Sequence, residues 1–223
     1  MIQTVPQRGA ADPSAATKER LLDAAEKLFA KKGFLATSVR DITTEAGCNV
    51  AAVNYHFGGK DALYSAMLRR RVAAVREKRL ATLNAALGAG LRPTLEQTLR
   101  AIADAFLAPV LEDETGPRFL ELMSREMVDR RLPATVFLEE LFEPTSDAFC
   151  ALLRRVEPRL DQQSARTCIH LFVGQLGHTM HARRLFESCP ARRNKLTPWP
   201  RMIDEIVRFS AGGVRAQLEE VPR

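Results

Sequence analysis

The stretch AGCNVAAVNYHFGGK, residues 46–60, constrains the fold more than any other part of the chain. It contains one short apolar run, bounded by Gly47 on one side and by a Gly-Gly pair on the other. Asn49 is a favourable cap for a helix over 50–56, and glycine commonly ends a helix. The pattern therefore predicts a short helix that cannot extend in either direction.

A second short helix is predicted immediately before Gly47. Ser38 followed by Asp41 resembles a capping box, and the helix would run over 39–46. Two short helices joined by a tight turn form a helix-turn-helix, the unit that places its second helix in the major groove of DNA.

The side chains of the later helix separate onto two faces. The face predicted to point inward comprises Val50, Val53 and, just past the helix, Phe57, and the opposite face comprises Ala51, Asn54 and Tyr55. On the outward face, Asn54 can pair with adenine, while the small side chain of Ala51 lets the backbone approach and can touch a thymine methyl.

Polar residues around this helix carry donors suited to phosphate oxygens, namely Ser38, Tyr55, His56 and Lys60. Arg40, early in the preceding helix, can reach guanine or a phosphate. The same residue types are also common on ordinary helical surfaces, and a lone histidine is more often packed or capping. Residue spacing alone therefore leaves both interpretations open.

The net charge of +6 is concentrated at one end of the chain. Residues 1–80 contain 14 Lys and Arg against 8 Asp and Glu, whereas residues 81–223 contain 19 of each group. A basic module on a neutral body favours an anionic partner, although a solvated basic face is the simpler alternative. No apolar stretch reaches the roughly 20 residues of a membrane span, so a soluble protein without a membrane partner is expected.

The start of the chain and the cysteines predict a cytoplasmic location. Residues 1–16 lack the apolar core of a secretory signal and are predicted to be a flexible tail. Neither a C-x-x-C pair nor metal-like spacing occurs among Cys48, Cys150, Cys168 and Cys189, which favours reduced thiols.

Helical periodicity continues through the rest of the chain, without the period of two that a half-buried strand requires. The further predicted helices are 18–32 (capped by Thr17), 60–87, 94–111, 117–130, 134–157, 161–187 and 200–218, with breaks at Gly33, Pro93, Gly116, Pro133, Pro158, Pro190, Pro198 and Pro200. The predicted class is all-α, with a three-helix DNA-binding domain at 17–62 and a larger helical domain at 63–218.

The sequence TKERLLDAAEKLFAKKGFLATSVRDITTEAGCNVAAVNYHFGGKDALY, residues 17–64, resembles the DNA-binding domain of TetR-family transcriptional regulators. The similarity includes the run F-x-x-x-G-F-x-x-T-S-V-R-D-I and the ending Y-H-F-x-x-K-x-x-L. Carried over by position, it implies groove or phosphate contacts from Arg40, Asn49, Val50, Ala51, Asn54, Tyr55, His56 and Lys60. The family often has an aromatic residue where this chain has Asn54, so the resemblance does not fix the base preference there.

Two further segments resemble the CecR-like subgroup: LMSREM (122–127), with a P-x-x-x-x-F pattern from Pro144, and CIHLFVGQLG (168–177). The family resemblance implies a regulator, most commonly a repressor, whose C-terminal helices dimerise and bind a small molecule. We predict that this chain binds a palindromic operator as a homodimer and is released by a small, mostly apolar effector. The chain lacks P-loop, G-x-S-x-G, H-E-x-x-H and G-x-G-x-x-G motifs, so neither an enzyme nor a cofactor is predicted. A cytosolic helical ligand carrier is the alternative, but it leaves the basic end unexplained.

Aromatic and flexible apolar side chains of the larger domain are candidates for an effector site. The candidates are Phe106, Phe119, Met123, Arg125, Phe137, Phe142, Phe149 and Met180. The same residue types also suit an ordinary helical core. His178 and His181, even with Cys168 or His170, lack the further ligands that zinc needs, so no metal site is predicted.

Glycines inside the last two predicted helices indicate a dimer interface. An interior glycine costs about 1 kcal/mol relative to alanine, a cost that close contact between helices explains. The predicted interface residues are Val173, Gly174, Gly177 and Gly213. A monomeric bundle is the alternative, but a symmetric operator favours a two-fold protein.

Overall fold

The computed structural model describes residues 13–87, 93–111, 115–189 and 197–220, and within these ranges every regular element is helical. The predicted all-α class is therefore confirmed. The helices are α1 (Pro13–Lys32), α2 (Val39–Glu45), α3 (Ala51–Phe57), α4 (Lys60–Leu87), α5 (Leu95–Leu111), α6 (Gly116–Asp129), α7 (Ala134–Phe137), α8 (Glu143–Val156), α9 (Gln162–Glu187) and α10 (Trp199–Glu220), and a π-helical turn, Leu138–Phe142, joins α7 to α8.

The described residues pack into two compact units. The first contains the residues up to Arg71 together with Pro117–Pro133, and the second contains Val72–Gly116 together with the residues from Ala134 onward. The long helix α4 contributes residues to both units. Nearly all of α6 belongs to the same unit as α1–α3, although the sequence placed it in the larger domain of residues 63–218.

The core of the first unit forms on the apolar face of α1. Leu22, Ala25 and Phe29, which recur at helical spacing along one face of α1, are all buried. The ring of Phe29 stacks on that of Phe34 with centroids 5.5 Å apart, and the Tyr64 ring meets both edge-on at 5.1 and 5.2 Å. Three large rings in stacked and edge-to-face contact stabilise the junction between α1 and the start of α4.

A buried carboxylate connects α4 to α6 within the first unit. Glu126 is only 4% exposed, and it accepts a 2.6 Å hydrogen bond from the Tyr64 hydroxyl. Its second oxygen accepts a 2.6 Å bond from the backbone N–H of Leu132. Burial and the bond to Glu126 raise the pKa of Tyr64, so the phenol stays protonated and remains a donor. Because a buried charge is costly without partners, these bonds fix α6 and the chain after it.

The second unit is built from α5, α8, α9 and α10. An apolar stripe on α9 is buried and comprises Ile169, Phe172, Leu176 and Met180. On the surface, Arg100 on α5 pairs with Asp204 on α10 at 2.5 Å. The side-chain amide of Gln175 donates to Ser210 Oγ at 3.2 Å, which links α9 to α10.

The predicted start of the first helix is wrong. α1 begins at Pro13, and Thr17 lies inside it with its hydroxyl donating to the Pro13 carbonyl at 2.9 Å. Proline suits the first turn of a helix and alanine propagates it, which explains the earlier start. Residues 13–16 of the predicted tail are therefore helical, while residues 1–12 and the predicted break at Pro190 lie outside the described ranges.

The predicted continuous helix 134–157 is also wrong, because the π-helical turn Leu138–Phe142 interrupts it. Within this turn, the carbonyl oxygen of Glu140 accepts a 2.9 Å hydrogen bond from Arg76 Nη1 on α4. A π turn changes the i to i−4 bonding pattern and leaves a carbonyl available to such a donor. Hydrophobic periodicity does not encode this insertion.

We predict that Tyr64→Phe lowers the free energy of unfolding by about 1–3 kcal/mol, because the buried Glu126 carboxylate loses one of its two hydrogen bonds. Chemical denaturation measures the change. Tyr55→Phe is the matched control, since Tyr55 is 81% exposed and its replacement should alter stability by less than about 0.5 kcal/mol. Equal effects of the two substitutions would show that the Tyr64–Glu126 bond does not stabilise the first unit.

Candidate nucleic-acid interface

The helix-turn-helix begins with a complete capping box. The backbone N–H of Ser38 donates to the Asp41 carboxylate at 2.9 Å, and the N–H of Asp41 donates to Ser38 Oγ at 3.1 Å. These bonds lower the pKa of Asp41, so the carboxylate stays charged and the cap stays intact at neutral pH. The predicted capping box is confirmed, and it fixes where α2 starts.

The turn between α2 and α3 depends on Gly47. Its φ of +62° lies in the left-handed region, where glycine has no steric cost. After the turn, the side-chain oxygen of Asn49 accepts a 2.9 Å bond from the N–H of Ala51. Asn49 therefore satisfies a free donor at the start of α3, as the sequence predicted.

One predicted inward residue of α3 is placed wrongly. Val50 is 49% exposed and precedes Ala51, the first residue of the helix, whereas Val53 is fully buried and Phe57 is half-buried. Val53 anchors this short helix in the core, whereas Val50 lies exposed just before its first residue. Val50 thus lies at the surface, where the family resemblance had placed it as a DNA contact.

The outward face of α3 is exposed as predicted. Ala51, Asn54 and Tyr55 all present their side chains to solvent, opposite the buried Val53. The Tyr55 ring packs edge-on against the ring of His56, with centroids 4.9 Å apart. This face combines an amide, a small side chain and a phenol, which are groups that can contact base edges and phosphates.

The other predicted contact residues surround α3. Arg40 and Asn49 are exposed, and His56 is partly exposed. Ser38 is exposed as well, but its hydroxyl donates to Asp41 at 2.8 Å, so a phosphate would compete with the capping box for that proton. Lys60 is the first residue of α4 and is half-buried. The structure thus brings all nine predicted residues into the first unit, and their contacts with DNA stay a prediction.

Sequence reasoning missed Arg131, whose guanidinium contacts the same aromatic ring as Lys60. Lys60 Nζ is 4.1 Å from the centre of the Phe34 ring, and Arg131 Cζ is 3.8 Å from the same ring centre. Burial lowers the pKa of Lys60, and the nearby positive charge of Arg131 acts in the same direction, while Asp61 opposes them. No motif in the sequence indicates that Arg131 approaches this site.

The predicted effector residues fall into both units. Phe119, Met123 and Arg125 lie on α6 in the first unit, where Arg125 pairs with Glu121 at 3.0 Å and packs against Gly33. The second unit contains Phe106, Phe137, Phe142, Phe149 and Met180, of which Phe149 and Met180 are buried and Phe142 is exposed. A role of any of these residues in effector binding stays a prediction.

A buried arginine in the second unit was not predicted. Arg79 on α4 is 6% exposed, its Nε donates to the Phe106 carbonyl at 3.3 Å, and its guanidinium lies 4.2 Å from the centre of the Phe106 ring. Burial lowers the pKa of Arg79 to about 10, so it remains charged at neutral pH. In the described ranges it forms no ion pair with a carboxylate.

The predicted interface glycines are not packed within the chain. A Cβ atom added to Gly174, Gly177 or Gly213 would meet no described atom within 4 Å, and Val173 beside them is half-buried. On the same two helices, Leu171 and Phe209 are exposed, Phe209 at 75%. Close contact inside one copy of the chain therefore does not explain these glycines.

The described residues show neither a membrane-spanning helix nor a metal cluster. No helix among them is both long enough and apolar enough to cross a bilayer. Within the same ranges, His178 and His181 do not gather the third His, Cys, Asp or Glu side chain of a possible metal site.

Two family models match the chain. The model of bacterial regulatory proteins of the tetR family matches residues 21–67, and that of the tetracyclin repressor-like C-terminal domain matches residues 100–213. The two matches cover α3 with its surroundings and most of the later helices.

Curated relatives and a solved structure agree with these models. The probable HTH-type transcriptional regulator YttP of Bacillus subtilis is 37% identical over 89 residues, which are 40% of this chain and 41% of YttP. The HTH-type transcriptional activator FasR of Mycolicibacterium smegmatis is 30% identical over 116 residues, 51% of this chain and 49% of FasR. This chain thus spans about half or less of these relatives. The fatty acid degradation regulator FadR from Bacillus halodurans matches in fold, with a TM-score of 0.65 at 16% identity over 93% of this chain and 99% of the FadR chain.

Proposed function

The chain belongs to the TetR family of DNA-binding transcriptional regulators, and we propose that it is a repressor that binds a palindromic operator as a homodimer and is released by a small effector. Repression is the commoner role implied by the family resemblance, although the relative FasR is named as an activator. We propose no catalytic activity, and a cytoplasmic location where the operator DNA is accessible. The observation that supports DNA binding most directly is the exposed outward face of α3.

We assign two roles to the residues around α3. Asn54 and Ala51, exposed opposite the buried Val53, read base edges in the major groove. Lys60 binds a backbone phosphate, since it starts α4, where the first backbone N–H groups have no partner within the helix. Base contacts specify the sequence, whereas phosphate contacts add affinity for any DNA.

Substituting one residue of each role tests this assignment. Lys60→Ala should weaken binding to all DNA sequences alike and lower the magnitude of the salt slope by roughly 1. Asn54→Ala should instead relax the preference at one position of each half-site, at a cost of about 1–3 kcal/mol if the contact is bidentate. Fluorescence anisotropy with a panel of single-base operator variants measures both effects, and uniform losses for both substitutions would contradict the division of roles.

The homodimer interface is proposed to lie on α9 and α10. Exposed Leu171 and Phe209 provide apolar area on these two helices, and Gly174, Gly177 and Gly213 allow another helix to approach closely. A second copy of the chain presents the same surfaces by two-fold symmetry, which matches a palindromic operator.

Phe209→Arg should shift the protein from dimer to monomer and lower operator affinity, because it places a charge in an apolar interface. Sedimentation velocity and anisotropy measure the two effects. Met127→Arg is the matched control, because Met127 is equally exposed but lies on α6, and it should remain dimeric. A Phe209→Arg protein that stays dimeric and binds DNA normally would move the interface elsewhere.

The effector is proposed to bind in the second unit around Phe106. A buried guanidinium without a carboxylate partner is costly, and Arg79 is in that situation among the described residues. An anionic group of a ligand would supply the missing charge, while the Phe106 ring contacts its apolar part. A mostly apolar effector with one acidic group therefore fits this environment.

A screen of apolar carboxylic acids against their uncharged amides tests the effector proposal. An acid that binds should raise the melting temperature and weaken operator binding, and its amide should do so less. The response should be lost in Arg79→Met and kept in Arg76→Met, which removes a neighbouring arginine of α4. Amides that act as strongly as the acids, on Arg79→Met as on the wild-type protein, would contradict the role of Arg79. A screen in which no compound has an effect would favour constitutive DNA binding.

Two narrower points complete the proposal. Membership of the CecR-like subgroup is supported by the segments LMSREM on α6 and CIHLFVGQLG on α9. The alternative function, a helical ligand carrier, lacks an explanation for the exposed α3 face and the basic first 80 residues, and a carrier would bind no DNA sequence selectively.

A further inference from the structure

Two cations from distant parts of the chain meet at one aromatic ring. Lys60 Nζ and Arg131 Cζ lie 4.1 and 3.8 Å from the centre of the Phe34 ring, which is itself 9% exposed. Both contacts fall within the distance of a cation–π interaction. Because both distances end at the same ring centre, Lys60 Nζ and Arg131 Cζ lie within about 8 Å of each other.

Nearby acidic groups compensate these charges only weakly. Arg131 Nε is 4.0 Å from Asp129 Oδ2, and this buried N–H has no hydrogen-bond partner. Among the described residues, Lys60 forms no ion pair; burial lowers its pKa, Asp61 opposes this shift, and Arg131 adds to it. Two like charges against one ring, with no ion pair formed by Lys60 among the described residues, favour the approach of an anion.

A hydrogen-bonded turn after α6 precedes and positions Arg131. Arg130 has a φ of +47°, a left-handed conformation that is uncommon for a residue other than glycine. The turn is held because Glu126 binds the Leu132 N–H with its side chain and the Arg130 N–H with its carbonyl oxygen, at 2.6 and 2.9 Å. A strained residue that surrounding bonds over-determine is typical of a functional position.

The backbone just before Lys60 is open. Gly58 and Gly59 precede it with φ of +80° and +146°, and a Cβ atom added to either glycine would meet no described atom within 4 Å. A phosphate can therefore approach the backbone at the start of α4, next to Lys60. Arg131 offers the planar donor arrangement that binds phosphate oxygens in pairs.

We propose that Arg131 and Lys60 together bind one backbone phosphate of the operator, so that a residue beyond α6 forms part of the DNA-binding surface. The inference rests on the proposed DNA-binding function and adds a contact that lies 71 positions after Lys60, outside the helix-turn-helix. Phe34 holds both cations, and the phosphate replaces their mutual repulsion with attraction.

The test compares Arg131→Gln with its neighbour variant Arg130→Gln, by measuring operator affinity over a range of salt concentrations. Arg131→Gln should weaken binding to every DNA sequence and lower the magnitude of the salt slope by roughly 1, whereas Arg130→Gln should leave the slope unchanged. Arg131→Lys should keep the slope, because it keeps the charge. Melting temperatures of all variants show whether each protein is folded.

A double variant tests whether the two cations share one phosphate. If they do, the double variant Lys60→Gln/Arg131→Gln should lower the salt slope by no more than the larger of the two single changes. If the contacts are independent, the two single reductions of the slope should sum in the double variant. Additive slopes would overturn the shared site. Equal behaviour of Arg131→Gln and Arg130→Gln would overturn the contact itself.

Two further outcomes separate this inference from the proposed function and from a free-anion site. A wild-type protein without sequence-selective DNA binding would contradict the function, while selective binding that does not depend on Arg131 would contradict only this inference. Inorganic phosphate, compared with chloride at equal ionic strength, is the second probe. A melting temperature raised by phosphate through Arg131, with an unchanged DNA salt slope, would assign the site to a free anion and overturn the DNA contact.

Discussion

The first unit depends on the buried carboxylate of Glu126. A charge in a largely apolar environment is stable only when it is paired or hydrogen-bonded, and here the Tyr64 hydroxyl and the Leu132 N–H provide the bonds. Tyr64 is four residues after Lys60, so both side chains lie on the face of α4 that meets the Phe34 ring. Because the Glu126 carboxylate needs hydrogen-bond partners, its bonds position α6 and the start of α4, together with the cations at the Phe34 ring.

α6 therefore belongs to a different unit from the one that its position in the sequence suggests. Although it follows α5 of the second unit in sequence, α6 belongs to the first unit, which also contains the helix-turn-helix, and it bonds to Tyr64 of α4. A ligand changes DNA affinity only through a difference in its affinity for the competent and incompetent arrangements. The chain passes between the two units within α4 and again at the start of α6. The proposed effector in the second unit would act on Lys60 through these two connections.

Local signals in the sequence were sufficient for much of the fold and for the α3 surface. The Ser38–Asp41 capping box, the turn at Gly47 and the spacing of Ala51, Asn54 and Tyr55 are encoded by residues a few positions apart. Contacts between distant segments have no such signal. The approach of Arg131 to Lys60, the burial of Arg79 and the π-helical turn that binds Arg76 each depend on tertiary packing, which a single sequence does not reveal.

The central claim is that the exposed face of α3 reads a specific DNA sequence in a two-fold arrangement. Selection of DNA from a random pool by the full-length protein, followed by hydroxyl-radical footprinting of the selected sequence, tests it most directly. The account predicts an enriched palindrome with two protected half-sites whose centres are about 34–36 Å apart, or a multiple of that spacing. A pool that yields no enriched sequence, or a footprint without two-fold symmetry, would contradict it.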